Sequence, residues 1–166
     1  VRASDREKNK SAKKIAIGKA GGHAEIGHAF AQSCVNHLET EGLTVTEYEV
    51  PDVVEIPLFT QKLIATGTVD MVIVTGLIVD HGVYRHDFVA ATVLDATMKI
   101  QLDSGTPIIY GILTPQDFMS DGRETFFRSH FVQKGIEAAN ACLVTIRNEQ
   151  LIAGLHGAAE QLATSN

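Results

Sequence analysis

Cysteine is scarce in this chain, basic residues form no cluster, and no apolar run exceeds the length of a strand. The two cysteines in 166 residues, Cys34 and Cys142, form no metal-ligand spacing. Both fall in helical patterns and read as reduced thiols of a cytoplasmic protein. A net charge of −6 without a basic patch argues against nucleic-acid binding, which depends on Lys and Arg at phosphates. The short apolar runs exclude a membrane-spanning helix, which needs about 20 consecutive apolar residues. The first residues are polar and Lys-rich without an apolar centre, unlike a secretory signal. Residues 1–13 therefore read as a flexible arm ahead of a single domain, residues 14–166. His23, His28 and His37 lack the i, i+4 pairing of a metalloprotease helix, and no metal site is expected.

What is present is an ordinary globular composition, 45% hydrophobic and 20% charged, in a chain long enough to bury one core. Strand and helix signals alternate along it. Lys14 to Gly18, Leu43 to Val50, Met71 to Val79 and Pro107 to Leu113 read as strands, the third a fully buried β-branched run. Helical patterns cover His23 to Glu41, with Ile26, Phe30, Cys34 and Leu38 on one face, and Glu55 to Thr66. A third runs from His86 to Ser104, with Val89, Val93, Ala96 and Ile100 inward. Two more are expected, from about Phe131 to Ile146 and near Gln150 to Ala163. Strands separated by helices require crossovers and hence a parallel sheet covered on both faces. The predicted fold is a three-layer α/β/α sandwich, flavodoxin-like, on a four-stranded parallel sheet.

In such a sheet the loops at the carboxyl ends of the strands share one rim, where ligands bind. That rim collects Lys19, His23, Asp52, Glu55, Asp80, His81, Arg85, His86, Asp117, Arg123 and Arg128. The mixture suits a small polar, phosphorylated substrate. Gly21-Gly22 offers backbone N–H groups to an anion at a helix N-terminus, or serves simply as a turn. Glu55 and Asp87 have a simpler reading as first-turn acids favoured by the helix dipole. His86 could likewise merely begin a helix, and His130, alternating with Phe127 and Phe131, could be structural.

Several segments in order resemble the lumazine synthase family. They are Gly22-His23-Ala24-Glu25-Ile26, Val50-Pro51 with Glu55-Ile56-Pro57, the run from Val79-Asp80-His81-Gly82-Val83 through Tyr84-Arg85-His86-Asp87-Phe88-Val89, and Leu113-Thr114-Pro115. Phe126-Phe127-Arg128-Ser129-His130-Phe131 with Lys134-Gly135 follows. The Tyr-Arg-His-Asp-Phe-Val and Phe-Phe…His-Phe…Lys-Gly runs are similar to the second, rhizobial and Brucella-type branch.

The resemblance implies condensation of 5-amino-6-ribitylamino-uracil with 3,4-dihydroxy-2-butanone 4-phosphate, without metal or organic cofactor, as a step of riboflavin synthesis. It implies a homo-oligomer built from pentamers, as pentamer, decamer or sixty-subunit shell, with each site between neighbouring subunits. By position, Gly22 and His23 belong to the loop that stacks on the pyrimidine. Val53, Val54 and Glu55 stand in the ribityl loop, while Leu77, Ile78 and Val79 line the ring. Tyr110 stands where a neighbour's aromatic packs on the heterocycle. Gly82, Val83, Arg128 and His130 are the phosphate candidates, and Arg85 with His86 the catalytic ones. The chain also departs from the family pattern. Gly22 occupies the stacking aromatic's place, Asp52-Val53-Val54 replaces a glycine-aromatic loop, and Arg85 falls on the proton-transferring histidine, one place before His86. The alternative reading is a relative that keeps the assembly but binds a flavin or lumazine, or acts on another small phosphorylated sugar.

Overall fold

The computed structural model describes residues 13–164. The arm expected at residues 1–13 thus lies outside the described residues except for Lys13. Nine elements alternate: β1 (Lys14–Ala20), α1 (Ala24–Thr40), β2 (Thr44–Val50), a 3₁₀ turn (Val53–Glu55), α2 (Ile56–Ala65), β3 (Met71–Leu77), α3 (His86–Ser104), β4 (Ile108–Leu113) and α4 (Arg123–Thr164). The strands form one parallel sheet in the order β2-β1-β3-β4. This is the α/β architecture expected, and the order reverses between β1 and β3, the switch point at which such sheets open a crevice.

Alternation along the central strands divides the core into two layers. Ile15, Ile17, Met71 and Ile73 face α1 and α4, where Phe30, Leu38, Phe131 and Ile146 close the layer. Val72, Val74, Ile108 and Ile112 face α2 and α3, against Ile56 and Val93. Of the inward stripe expected on α3, Val93 is fully buried while Val89 and Ile100 are only partly so.

Two expectations about the elements need correction. β3 ends at Leu77 rather than Val79: Ile78 and Val79 stay buried, and Ile78 N makes the last bond to β4, to Leu113 O at 3.0 Å, before the chain turns away. More consequentially, the two C-terminal helices are one, α4, which starts at Arg123. Arg147-Asn148-Glu149-Gln150 is polar because the helix there leaves the body of the domain. Nothing in that tetrapeptide stops a helix, since it holds neither Gly nor Pro.

Cys34 on α1 and Cys142 on α4 are both fully buried and unbridged. Burial is the first cause that pushes the Cys34 thiol up to about 12 and the Cys142 thiol up to about 11. The unfolded chain releases these protons near the ordinary thiol range while the folded chain holds them. Stability from this source is therefore complete below pH 8.5 and lost as pH rises toward 12. Chemical denaturation at pH 7 and pH 10 should show a lower midpoint at pH 10, and a Cys34→Ala/Cys142→Ala variant should show a smaller decrease.

Candidate active site

The crevice at the switch point is a cleft of about 390 Å³. Three loops build it. The first follows β1 and contributes Gly22 and His23; the second follows β2 and contributes Asp52 and Val53; the third joins Leu77 at the end of β3 to Val89 in the first turn of α3. Leu77, Ile78, Val79 and Val53 make an apolar floor, each buried. His81, Tyr84, Arg85 and His86 form the polar rim.

Each loop takes its shape for a local reason. Asp52 caps the 3₁₀ turn: its carboxylate accepts from Val53 N at 2.7 Å, and Glu55 accepts from Asp52 N at 2.9 Å. This is a reciprocal capping box, so Glu55 serves the turn and does not line the cleft. Val53 then presses on β3 at Gly76, where a Cβ would fall 2.6 Å from the Val53 side chain. Only glycine lets this wall of the cleft sit so close to the sheet. Past β3, Asp80 accepts from Gly82 N at 2.7 Å and closes a tight turn with Gly82 at φ 71°. That turn brings Asp80 Oδ1 to 3.7 Å from His86 Nδ1 at the start of α3.

Arg85 lies over the Phe88 ring, 3.7 Å from its centroid, and donates to Asp87 at 2.8 and 3.4 Å. The same contact holds the Asp87 carboxyl below the usual carboxylate range and raises the guanidinium. Asp87 occupies the Nε–Nη2 edge of this flat guanidinium, and the outer Nη1–Nη2 edge is left for an anion. Across the cleft, His23 adopts a left-handed backbone, φ 55°, which is uncommon for a residue with a side chain. Its ring stacks on His81 at 6.0 Å and meets the edge of Phe118 at 5.3 Å. Strained backbone held by neighbouring contacts recurs at ligand sites.

Of the residues expected at the site, the fold brings Gly22, His23, Val53, Leu77, Ile78, Val79, Arg85 and His86 into one cleft. Gly82 and Val83 sit on the turn beside it, with Val83 exposed. Val54 points outward on the 3₁₀ turn. Tyr110 is half-buried on the edge strand β4, and burial raises its phenol pKa. Arg128 lies elsewhere, on the α4 surface, paired with Glu25 of α1 and more loosely with Glu124 at 3.8 Å. His130 stacks on Phe126 at 5.6 Å. Tyr84 and Val89 line the cleft without having been expected there, and Phe118 supports it; His81 and Asp52 had been placed at the rim without a role. The signal for Tyr84 was its position between the Gly82 turn and Arg85.

The family description "6,7-dimethyl-8-ribityllumazine synthase" matches residues 12–150. A protein of that name from Rhodococcus erythropolis is 43% identical over 106 residues, 63% of this chain and 68% of its own length. "6,7-dimethyl-8-ribityllumazine synthase 2" of Bradyrhizobium diazoefficiens is 37% identical over 143 residues, 85% of this chain and 87% of that one. Its namesake in Pseudomonas syringae pv. tomato is 34% identical over 137 residues, covering 80% and 81%. These relatives agree with the resemblance read from the Tyr84-to-Val89 and Phe126-to-Gly135 runs, second branch included. The chain belongs to the 6,7-dimethyl-8-ribityllumazine synthase family.

Proposed function

We propose that the cleft beneath His81 and Arg85 is where 5-amino-6-ribitylamino-uracil condenses with 3,4-dihydroxy-2-butanone 4-phosphate to give 6,7-dimethyl-8-ribityllumazine. The observation that carries this reading is the pairing of an apolar floor with a rim of imidazole and guanidinium in one crevice. The floor of Val53, Ile78 and Val79 suits the pyrimidine ring. Arg85 and the backbone of the Gly82 turn suit the phosphate. The amine adds to the ketone to form an imine with loss of water, phosphate is eliminated to leave a second carbonyl, and the ribitylamino nitrogen closes the ring on it with loss of a second water. Holding two substrates in register accounts for much of such an acceleration. His86, with Nδ1 turned to Asp80, offers Nε2 for the proton transfers. The alternative, a relative that binds a flavin or lumazine or acts on another small phosphorylated sugar, rests on Gly22 and Asp52-Val53-Val54 alone, whereas the family match and the synthases among the relatives favour the condensation.

We further propose that the site is completed by a neighbouring subunit of a pentamer. Tyr110, Arg128 and His130 lie outside the cleft of their own chain. Next to the open cleft, α3 exposes Phe88, Leu94, Met98 and Leu102, an apolar face of the kind that marks an interface. No described helix is long and apolar enough to cross a membrane. Two free, buried thiols fit a cytoplasmic enzyme.

Equilibrium titration with the pyrimidine substrate tests the assignment of the ring site. Gly22 lines the cleft, and a Cβ there would meet only Asp52 Oδ1, at an ordinary 3.5 Å. The backbone at this position therefore accepts a side chain. Stacking on a base contributes about 1–3 kcal/mol, so Gly22→Trp should tighten pyrimidine binding about tenfold. Wild-type protein that does not bind the pyrimidine contradicts the reading.

A further inference from the structure

Every residue of α4 from Arg147 to Thr164 is exposed, and at 1.5 Å per residue this overhang extends about 25 Å from the domain. Residues beyond 150 also lie outside the matched family region. The overhang is not polar all round. Leu151, Leu155, Ala158 and Leu162 recur at the three- and four-residue spacing of a coiled-coil seam. Leu151 is 67% exposed, Leu155 and Leu162 72% each, and Ile152 beside them 52%. This stripe does not continue the core. The face of α4 that packs on α1 is carried by Phe131, Ala138, Cys142 and Ile146. At 3.6 residues per turn the seam lies about half a turn away from it, facing away from the chain's own domain. An isolated helix of this length is marginal in water, and Gly154 and Gly157 weaken it further. A partner surface is what would stabilise it.

We infer that this seam pairs with the same seam of a second copy of the chain, antiparallel, with Leu155 at the two-fold axis. Shape selects that occupant. With Leu155 opposite its mate at the centre, Leu151 meets Ala159 of the second copy and Ile152 meets Ala158, so the pairs that flank the central leucines set large side chains against small ones, and Leu162 falls opposite Asn148 at each end. Charge does not oppose it: from Arg147 to Thr164 the formally charged residues are Arg147, Glu149 and Glu160. Two such faces bury on the order of 1,000 Å², about the least that a specific interface requires. Residues 1–12 of the same chain are a poor cover, because Arg2, Asp5, Arg6, Glu7, Lys8 and Lys10 leave them almost without apolar surface.

Disulfide trapping in the full chain tests the pairing. Leu155→Cys should give a disulfide dimer on mild oxidation, since the two sulfurs meet at the axis. Leu162→Cys should not, because antiparallel pairing holds the two copies of that position about 20 Å apart. Cys34 and Cys142 are buried and do not contribute. Crosslinking at both positions, or at neither, overturns the proposal. A Leu151→Gln/Leu155→Gln variant changes only exposed side chains and should halve the mass of the assembly in light scattering at unchanged helix content. An unchanged mass overturns it equally.

Discussion

Gly135→Ala should destabilise the protein by about 3 kcal/mol, the upper end for overpacking a tight site. α1 and α4 cross at this glycine. A Cβ placed there would lie 2.1 Å from Ser33 Oγ and 2.2 Å from the backbone oxygen of Phe30. A backbone oxygen cannot rotate away, so the helices must separate. Ser33 pins the same crossing with its one O–H, whose acceptor across it is Val132 O at 2.9 Å and whose alternative on its own helix is Phe30 O at 3.0 Å. Separation would also loosen Phe30 and Phe131, the two largest fully buried side chains of that layer. A urea denaturation midpoint well below wild type is the expected reading. Gly154→Ala is the control: nothing lies within 4 Å of its Cβ position, so helix propensity alone acts and stability should not fall.

Arg85→Ala should lower kcat/KM roughly a hundredfold, the scale of losing one preorganised charge contact. The loss should appear in steady-state kinetics with the phosphorylated ketose as the varied substrate, while pyrimidine affinity changes little. Arg85→Lys should recover only part of it, because an ammonium cannot reproduce the fork that Phe88 and Asp87 hold flat. The side chain is two-thirds exposed, so its pair with Asp87 adds little to stability and thermal melting should not move. A variant with wild-type kinetics would remove Arg85 from the site.

How much of this was legible beforehand differs by kind of residue. The strands were, because β-branched runs such as Val72-Ile73-Val74 have few alternatives, and the floor of the cleft followed from where those strands end. The continuity of α4 was not. A polar tetrapeptide reads as a boundary unless one knows that the helix has left the domain. Arg128 and His130 show a second limit. Motif order placed them near phosphate, but it does not tell their own chain's cleft from a neighbour's, because their orientation is set by which neighbours α4 buries. Phe127 and Phe131 turn inward, and that leaves Arg128 on the surface beside Glu25. Glu55 shows a third, since its partner is the backbone three residues earlier, and the capping pattern Asp52-x-x-Glu55 was there to be read. The opposition of His23 and His81 comes from two loops distant in sequence and emerged only with the fold.

Turnover itself is the most direct test of the central claim. Purified protein mixed with 5-amino-6-ribitylamino-uracil and 3,4-dihydroxy-2-butanone 4-phosphate should form 6,7-dimethyl-8-ribityllumazine, followed by its absorbance, at a rate proportional to protein concentration. The cleft assigned here predicts a rate well above the spontaneous condensation, reduced in Arg85→Ala. A rate equal to the uncatalysed reaction at every protein concentration would contradict it.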